Sequence, residues 1–438
     1  MRVMVDEAQG QTGQRILGAL RHRNYRLFFG GQLISSVGTW MQSIAMPWLV
    51  LQTTHSALLV GVTLATQFLP MLLAGPFGGV VADRYPKRTV LQLTQAAFML
   101  PALGLFALTA THMTQYWMVL LAALAWGVIQ VVDVPTRQAF AIEMVGREDL
   151  MNAIALNSSV WNAAAVVGPS LAGVLIAFTG VPVCFLVNAG SYVPVIAALT
   201  LMHDLPRLVP DGERRRVSTR ILAGARYLRY DPLVGTMLVV VAVFSLFAMN
   251  RLTLIPLFAQ DVLGLGAAGF GFLMAALGLG ALTGAVSLAL FVRRIRGQVQ
   301  FLIGIGWAVS LLLFSISTWF PLSAALLFLA GLAQMWFLAA ANTRIQTATP
   351  DSLRGRVMAF YAQAVMGVGP IGALQAGALA SLFGAPWAMA VGAGAAGVVL
   401  VGVRLVHPDA FTLEPDDFPE AGLLPPTPRV SGRSRRGL

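Results

Sequence analysis

The chain has 438 residues, of which 57% are hydrophobic and 11% charged, with a formal net charge of +11 and a mean hydropathy of +0.75. An ordinary soluble domain carries about 25% charge, so this composition excludes one. A lone cysteine, Cys184, and five histidines scattered at 22, 55, 112, 203 and 407 leave no disulfide framework and no metal-ligand spacing.

Residues 1–24 are polar and basic, with no cleavable signal. After them come long, almost uninterrupted apolar runs, such as Met118 to Val132 and Leu322 to Ala341. Crossing a bilayer takes roughly 20 apolar residues per helix, whereas barrel strands are about ten residues long and alternate. The runs therefore predict an all-α membrane protein with twelve transmembrane helices. They lie near 27–51, 57–82, 89–110, 115–136, 151–178, 181–201, 233–259, 267–292, 298–317, 321–343, 357–382 and 386–405.

The connections alternate in charge. The N-terminal arm, the Asp83-to-Arg88 turn, Arg137 to Arg147, Arg207 to Arg229, Arg293 to Arg296, Arg344 to Arg356 and the C-terminal end hold 28 of the 29 Lys and Arg residues. The connections around Thr53, His112, Gly180, Asp261, Thr318 and Gly384 hold none. Positive loops are retained in the cytoplasm, which places both termini on the inside of the membrane. Charge dispersed over inner loops suits anionic lipid, so the expected partner is the bilayer and not nucleic acid.

Residues 203–232 form the one long interior connection and divide the spans six and six. Ile221, Leu222, Ala225 and Leu228 recur there at helical spacing among arginines, which predicts an amphipathic helix on the membrane surface. The expected domains are thus a half at 1–202, this linker, a half at 233–405 and a disordered tail at 406–438. The halves repeat: Gly61 precedes Asp83 by the same 22 residues as Gly271 precedes Arg293. Thr136-Arg137 corresponds to Thr343-Arg344, and Gly168-Pro169 to Gly369-Pro370. A six-plus-six duplication puts a substrate path between the halves, near the midplane.

Gly78-Gly79-Val80-Val81-Ala82-Asp83-Arg84-Tyr85-Pro86-Lys87-Arg88 joins spans two and three. Its glycines allow close helix packing. Asp83 could dock on the positive N-terminal end of span eleven and latch the halves closed inside. Lys87 or Arg88 could meet Asp133 at the end of span four; an ordinary tight turn is the alternative. The segment resembles the signature loop of the major facilitator superfamily, with Pro86 in place of its second glycine. The stretch from Ala164 to Gly173, with Gly168 and Pro169, looks like that superfamily's exporter-associated motif in span five, or else a generic packing kink. Asn24-Tyr25-Arg26-Leu27-Phe28, Gly38-Thr39-Trp40-Met41-Gln42 and Asp133 to Ala139 are similar to the drug and siderophore exporter subgroup, the enterobactin-exporter-like and macrolide-efflux-like proteins. That resemblance spans residues 20–405 and implies the major facilitator fold. It also implies export of a small amphiphile by alternating access, driven by the proton gradient with no bound cofactor, in a monomer. Uptake, or lysolipid flipping on the same fold, is the alternative.

Polar side chains within the spans are expected to face the interior, as cavity lining or helix-to-helix bonds. They are Gln32, Thr39 and Gln42 on span one, Trp126, Gln130, Asp133 and Arg137 on span four, Asn157 and Trp161 on span five, Asn250 and Arg251 on span seven, Gln334 on span ten and Gln363 on span eleven. No Asp or Glu falls mid-span, so Asp133 is the candidate proton carrier. Gly79, Asp83, Arg84, Lys87, Arg88, Arg137, Gly168 and Pro169 are the candidate gating positions. Arg251 is the one basic residue that the loops do not hold. It can snorkel outward, pair with Asp261, or face the cavity. No Ser–His pair, metal set or phosphate loop points to an enzyme.

Overall fold

The computed structural model describes residues 18–146, 148–203, 232–291 and 295–412, apart from the side chains of residues 76, 77, 83, 232, 289–291, 351 and 352. No strand occurs among them. The first half comprises α1 (Arg23–Thr54), α2 (Ala57–Arg84), α3 (Lys87–Ala110), α4 (Tyr116–Val145), α5 (Leu150–Thr179) and α6 (Val181–Thr200). Span seven is α7 (Pro232–Ala248) and α8 (Arg251–Leu257), ending in a π turn (Phe258–Val262). Then follow α9 (Gly266–Phe291), α10 (Gly297–Ser315) and α11 (Phe320–Ala348). Span eleven is α12 (Asp351–Ala362), a π turn (Gln363–Gly367) and α13 (Gly369–Phe383); α14 (Ala385–Val406) and a short α15 (Asp409–Thr412) are the last of the described elements.

Eleven of the described helical segments are long and apolar enough to cross a membrane. The twelfth span is α1, whose 32 residues reach about 48 Å. Its polar stripe of Gln32, Ser35, Ser36, Thr39 and Gln42 makes it less apolar than the others. That stripe is turned inward, with Gln32, Ser35, Ser36 and Gln42 buried. A helix face turned toward other helices needs no apolar coat.

Several boundaries differ from the sequence expectation. Helix α4 runs on to Val145, because Phe140, Met144 and Val145 bury against Tyr25, Phe28 and Leu199. Arg137 is therefore inside α4 and not at its end. Span seven breaks at Met249–Asn250, where the Asn250 amide donates to the Leu246 carbonyl at 2.7 Å. In the tail, Asp409–Thr412 form a helical turn with Phe411 buried against Phe301. The amphipathic linker helix lies outside the described residues.

The halves meet through two glycine crossings. On α9, a Cβ at Gly271 would stand 2.6 Å from the Pro169 carbonyl oxygen and 2.7 Å from the Gly173 Cα of α5. Between α2 and α13, a Cβ at Gly377 would stand 2.8 Å from the Ala57 carbonyl oxygen and 3.1 Å from the Gly61 Cα. Gly61 and Gly271 are the two positions that the sequence repeat equates. Both crossings lie toward the end with uncharged connections, where Trp48 of α1 also stacks on Phe270 of α9 with ring centroids 6.3 Å apart. Small residues let backbones touch, which is how helices associate where water supplies no drive.

Toward the basic end the halves part. At about 100° per residue, Met151, Ala155 and Ser158 share the face of α5 that carries Pro169 and Gly173. Pro169 and Gly173 are buried, whereas Met151, Ala155 and Ser158 are exposed. One continuous helix face is thus sealed at one end and open at the other. The cleft opens at the basic end.

Candidate transport site

The first half holds a buried polar network centred on Asp133, which is 2% exposed. Its Oδ1 accepts hydrogen bonds from Thr94 Oγ1 at 2.7 Å and Gln95 Nε2 at 2.9 Å, both on α3. Its Oδ2 accepts from Arg137 Nη2 at 2.6 Å and Nε at 3.1 Å. The spacing i, i+4 on α4 puts the acid one turn from the guanidinium. Arg137 also donates through Nη1 to Gln32 Oε1 on α1. The network thus ties α1, α3 and α4 together with every strong donor engaged. Thr94 and Gln95 were absent from the sequence reading, because polar residues on span three carry no sign of which neighbour they meet.

The basic turn is wired differently from the sequence expectation. Lys87 pairs with Glu143 at 2.6 Å, and Arg88 donates to the Thr200 and Met202 carbonyls at 2.9 and 3.1 Å; neither meets Asp133. The extension of α4 explains this, since it brings Glu143 to the turn and leaves Asp133 deeper. Arg84 is exposed, lying over the Tyr85 ring. Gly78, not Gly79, is the packing glycine: a Cβ at 78 would run into the Val131 carbonyl, while Gly79 faces open space. Asp83 lies in the last turn of α2, with its side chain outside the described set. Nearby, His22 donates to Asp149 at 2.8 Å, and this bond holds the Asp149 carboxyl below the ordinary carboxylate range.

Gly168 admits α1, since a Cβ there would stand 2.5 Å from the Trp40 Cβ. Pro169 sits within an unbroken α5 and presents its carbonyl to Gly271. The exporter-like segment therefore serves close approach on two sides.

The proposed lining residues divide into two groups. Gln32 is bound to Arg137, and Gln42 accepts from Asn188 Nδ2 at 2.6 Å, so both fasten the first half internally. Asn250 fastens the break in span seven. Asn157 and Trp161 of α5 are both exposed, and Trp161 packs on Trp40 of α1 with ring centroids 5.5 Å apart. Trp126 packs between Phe68 and Phe98, with Thr39 and Gln130 half-buried on the neighbouring turns of α1 and α4. Gln363 is exposed at the start of the π turn of span eleven.

Arg251 is half-buried at the start of α8. It lines a gap of about 10 Å³ inside the second half, room for about one water, with Gln334 of α11 and otherwise apolar neighbours that include Leu277, Trp307, Leu327 and Met389. Among the described residues, the guanidinium has neither a hydrogen bond nor an ion pair, to Asp261 or to any other group. No group of three or more His, Cys, Asp or Glu residues could hold a metal among the described residues.

Residues 15–427 match the profile of a family described as transmembrane secretion effector. The chain belongs to that family, within the major facilitator superfamily. It is 30% identical over 393 residues to the enterobactin exporter EntS of Escherichia coli O1:K1 / APEC, covering 88% of this chain and 91% of that one. The enterobactin exporter of Shigella boydii serotype 4 matches to the same extent. Among solved structures, a bacterial homologue of the lysosomal transporter Spinster in an inward-facing, unoccupied conformation superposes with a TM-score of 0.68 at 13% identity, over 90% of this chain and 97% of the other. A bacterial homologue of the iron transporter ferroportin gives 0.66 at 17% identity, covering 87% and 98%. These similarities bear on the fold. The chain is a multi-pass membrane transporter of the major facilitator fold.

Proposed function

We propose that this transporter exports a small amphiphilic molecule, of drug, siderophore or secondary-metabolite class, across the bacterial inner membrane by alternating access in exchange for protons. The observation that carries the reading is the single face of α5, packed at Pro169 and Gly173 and exposed at Met151, Ala155 and Ser158. With the basic end in the cytoplasm, as the distribution of Lys and Arg favours, this is the inward-open state of a rocking pair. The direction of transport is supported by the relatives, which are named as enterobactin exporters. Everted membrane vesicles test direction and orientation together. With enterobactin and rhodamine as separate probes, energised vesicles containing the protein should accumulate at least one of them, and a protonophore should abolish the accumulation. Accumulation of both only in right-side-out vesicles would reverse the direction.

In the opposite state the basic ends must meet. We assign that contact to Asp83 at the end of α2 and the N-terminal end of α12, a pairing worth about 0.3–2 kcal/mol. Asp83→Asn keeps the size and removes the charge. It should insert normally, slow transport several-fold and increase labelling of the inner cleft. Wild-type rates would eliminate the latch.

A further inference from the structure

All nine tryptophans are among the described residues, and four of them are exposed: Trp117, Trp161, Trp319 and Trp387. Three of the four stand at or beside the starts of α4, α11 and α14, on connections that carry no basic charge. Tryptophan gathers at a membrane boundary because its ring is apolar and its indole N–H is wet there. Trp161 is the exception. It lies inside α5 (Leu150–Thr179), about 16 Å along the axis from one end and about 27 Å from the other, and is 44% exposed. A boundary position does not explain it.

The direction in which Trp161 points follows from what the neighbouring turns touch. A Cβ at Gly168 would stand 2.5 Å from the Trp40 Cβ of α1, and a Cβ at Gly271 of α9 would stand 2.6 Å from the Pro169 carbonyl oxygen. Ala165 lies between these two directions, and a Cβ at Gly278 of α9 would stand 2.8 Å from its carbonyl oxygen. At about 100° per residue, Trp161 falls in the same arc, about 20° from Gly168 and about 80° from Pro169. The arc points between α1 of the first half and α9 of the second, which is the seam between the halves and not the lipid. Toward the neutral end this seam is packed. One turn toward the basic end from Ala165 stands Trp161, and beyond it Ile154 and Ser158 of the same arc are exposed as well. Trp161 is thus placed where the cleft ends, near the middle of α5.

The fold uses only part of this ring. Trp40 packs on it with the planes tilted by 54°, and no other ring contact is made among the described residues. Asn157, one turn further toward the basic end, is exposed, and its amide makes no hydrogen bond among the described residues. A large apolar face left open on a transport path is unfavourable in water, so its burial by a visiting molecule is a gain. Two aromatic rings add to that gain by stacking or edge-to-face contact at about 4.5–7 Å, which a saturated ring of the same size cannot do.

We propose that the free face of Trp161, backed by Trp40, is the stacking platform for a planar aromatic ring of the transported molecule, with the Asn157 amide available to a hydroxyl or carbonyl group on that ring. The inference rests on the export reading and narrows its amphiphiles to those that carry a flat ring.

The test uses the full-length protein with Ser158→Cys in de-energised everted vesicles, where an impermeant thiol reagent reaches the cleft from the basic end. Two probes of the same skeleton and hydroxyl are compared: 2-naphthol, which is flat, and decahydro-2-naphthol, which is saturated and puckered. The readout is the probe concentration that halves the labelling rate. With Trp161 intact, 2-naphthol should protect at a lower concentration than its saturated counterpart. Trp161→Leu keeps apolar contact and removes the ring, so it should raise the half-protecting concentration of 2-naphthol about three- to tenfold and change that of decahydro-2-naphthol less than about twofold. Trp161→Phe should retain most of the preference. Trp387→Leu, which removes an exposed tryptophan at the neutral end, should change neither value. Equal protection by the two probes with Trp161 intact overturns the platform, and this comparison stands even if Trp161→Leu does not fold. A position 158 that is not labelled at all overturns the placement of Trp161 in the cleft. Export is scored separately in energised vesicles: failure to accumulate any probe there, beside ring-selective protection, counts against export and leaves the platform standing.

Discussion

Replacing Gly271 with leucine is expected to abolish transport while leaving both halves folded. The position admits no side chain: a Cβ would meet the Pro169 carbonyl oxygen at 2.6 Å and the Gly173 Cα at 2.7 Å. Both are backbone atoms, so no rotamer change relieves the overlap. Forcing volume into a packed contact costs about 1–3 kcal/mol, and each 1.4 kcal/mol is about tenfold in an equilibrium. The cost falls only on the state in which the neutral ends are closed, so the transporter should be biased by roughly tenfold to a hundredfold toward opening at that end. Gly377→Leu should act likewise, through the Ala57 carbonyl on the second crossing. The measurement is an impermeant thiol reagent applied to Ala267→Cys, a position 8% exposed at the neutral end of α9, together with a transport assay. Labelling should be slow in the otherwise unaltered protein and fast in the leucine variants. The only natural cysteine, Cys184, is buried and contributes little background. Gly306, whose Cβ would meet nothing within 4 Å, is the control, and Gly306→Leu should leave both readouts unchanged. Slow labelling and full transport in Gly271→Leu would show that this crossing does not gate the neutral end.

The glycine crossings also show how far the sequence could be read. The repeat that equates Gly61 with Gly271 is visible as a spacing, and the structure gives both the same task, on α2 against α13 and on α9 against α5. Spans, their number and the division into halves follow from apolar length, which is a local property. The pairing of polar groups is not local. Lys87 is followed by two acids within plausible reach on span four, and only the extension of α4 past Arg137 decides for Glu143 over Asp133. Gln32, Gln42 and Asn250 were indistinguishable in sequence from cavity-lining amides. The structure uses them to fasten α1 to α4, α1 to α6, and span seven at its own break. Amides inside a membrane must bond to something, and whether that is a ligand or a neighbouring helix depends on distances that no periodicity encodes. Arg251 was legible as an anomaly; its surroundings were not.

Asp133→Ala is expected to destabilise the first half by about 3–5 kcal/mol, the usual consequence of leaving a buried partner charge uncompensated. Arg137 would be left with Gln32 and no acid. A double variant, Asp133→Ala with Arg137→Met, removes both charges and should regain most of that loss, as measured by thermal unfolding. The transport consequence is separable from this structural one. Oδ2 of Asp133 already accepts two bonds from Arg137, so a proton can settle on that oxygen only if the guanidinium leaves. Arg137 has a second acceptor in Gln32 on α1. A rearrangement within the first half that moves α1 relative to α4 would draw Arg137 toward Gln32 and open Oδ2, linking protonation to the conformational change. We propose this as the coupling step. Asp133→Asn keeps the size and can still engage Thr94 and Gln95, but it cannot exchange a proton. In proteoliposomes, an imposed pH gradient should drive substrate accumulation by wild type and not by Asp133→Asn, while downhill exchange persists in both. Gln32→Leu, which removes the alternative acceptor, should weaken the gradient response in the same direction without removing the carboxylate. Gradient-driven accumulation of equal size in wild type and Asp133→Asn would confine Asp133 to holding α1, α3 and α4 together and leave the proton to another group.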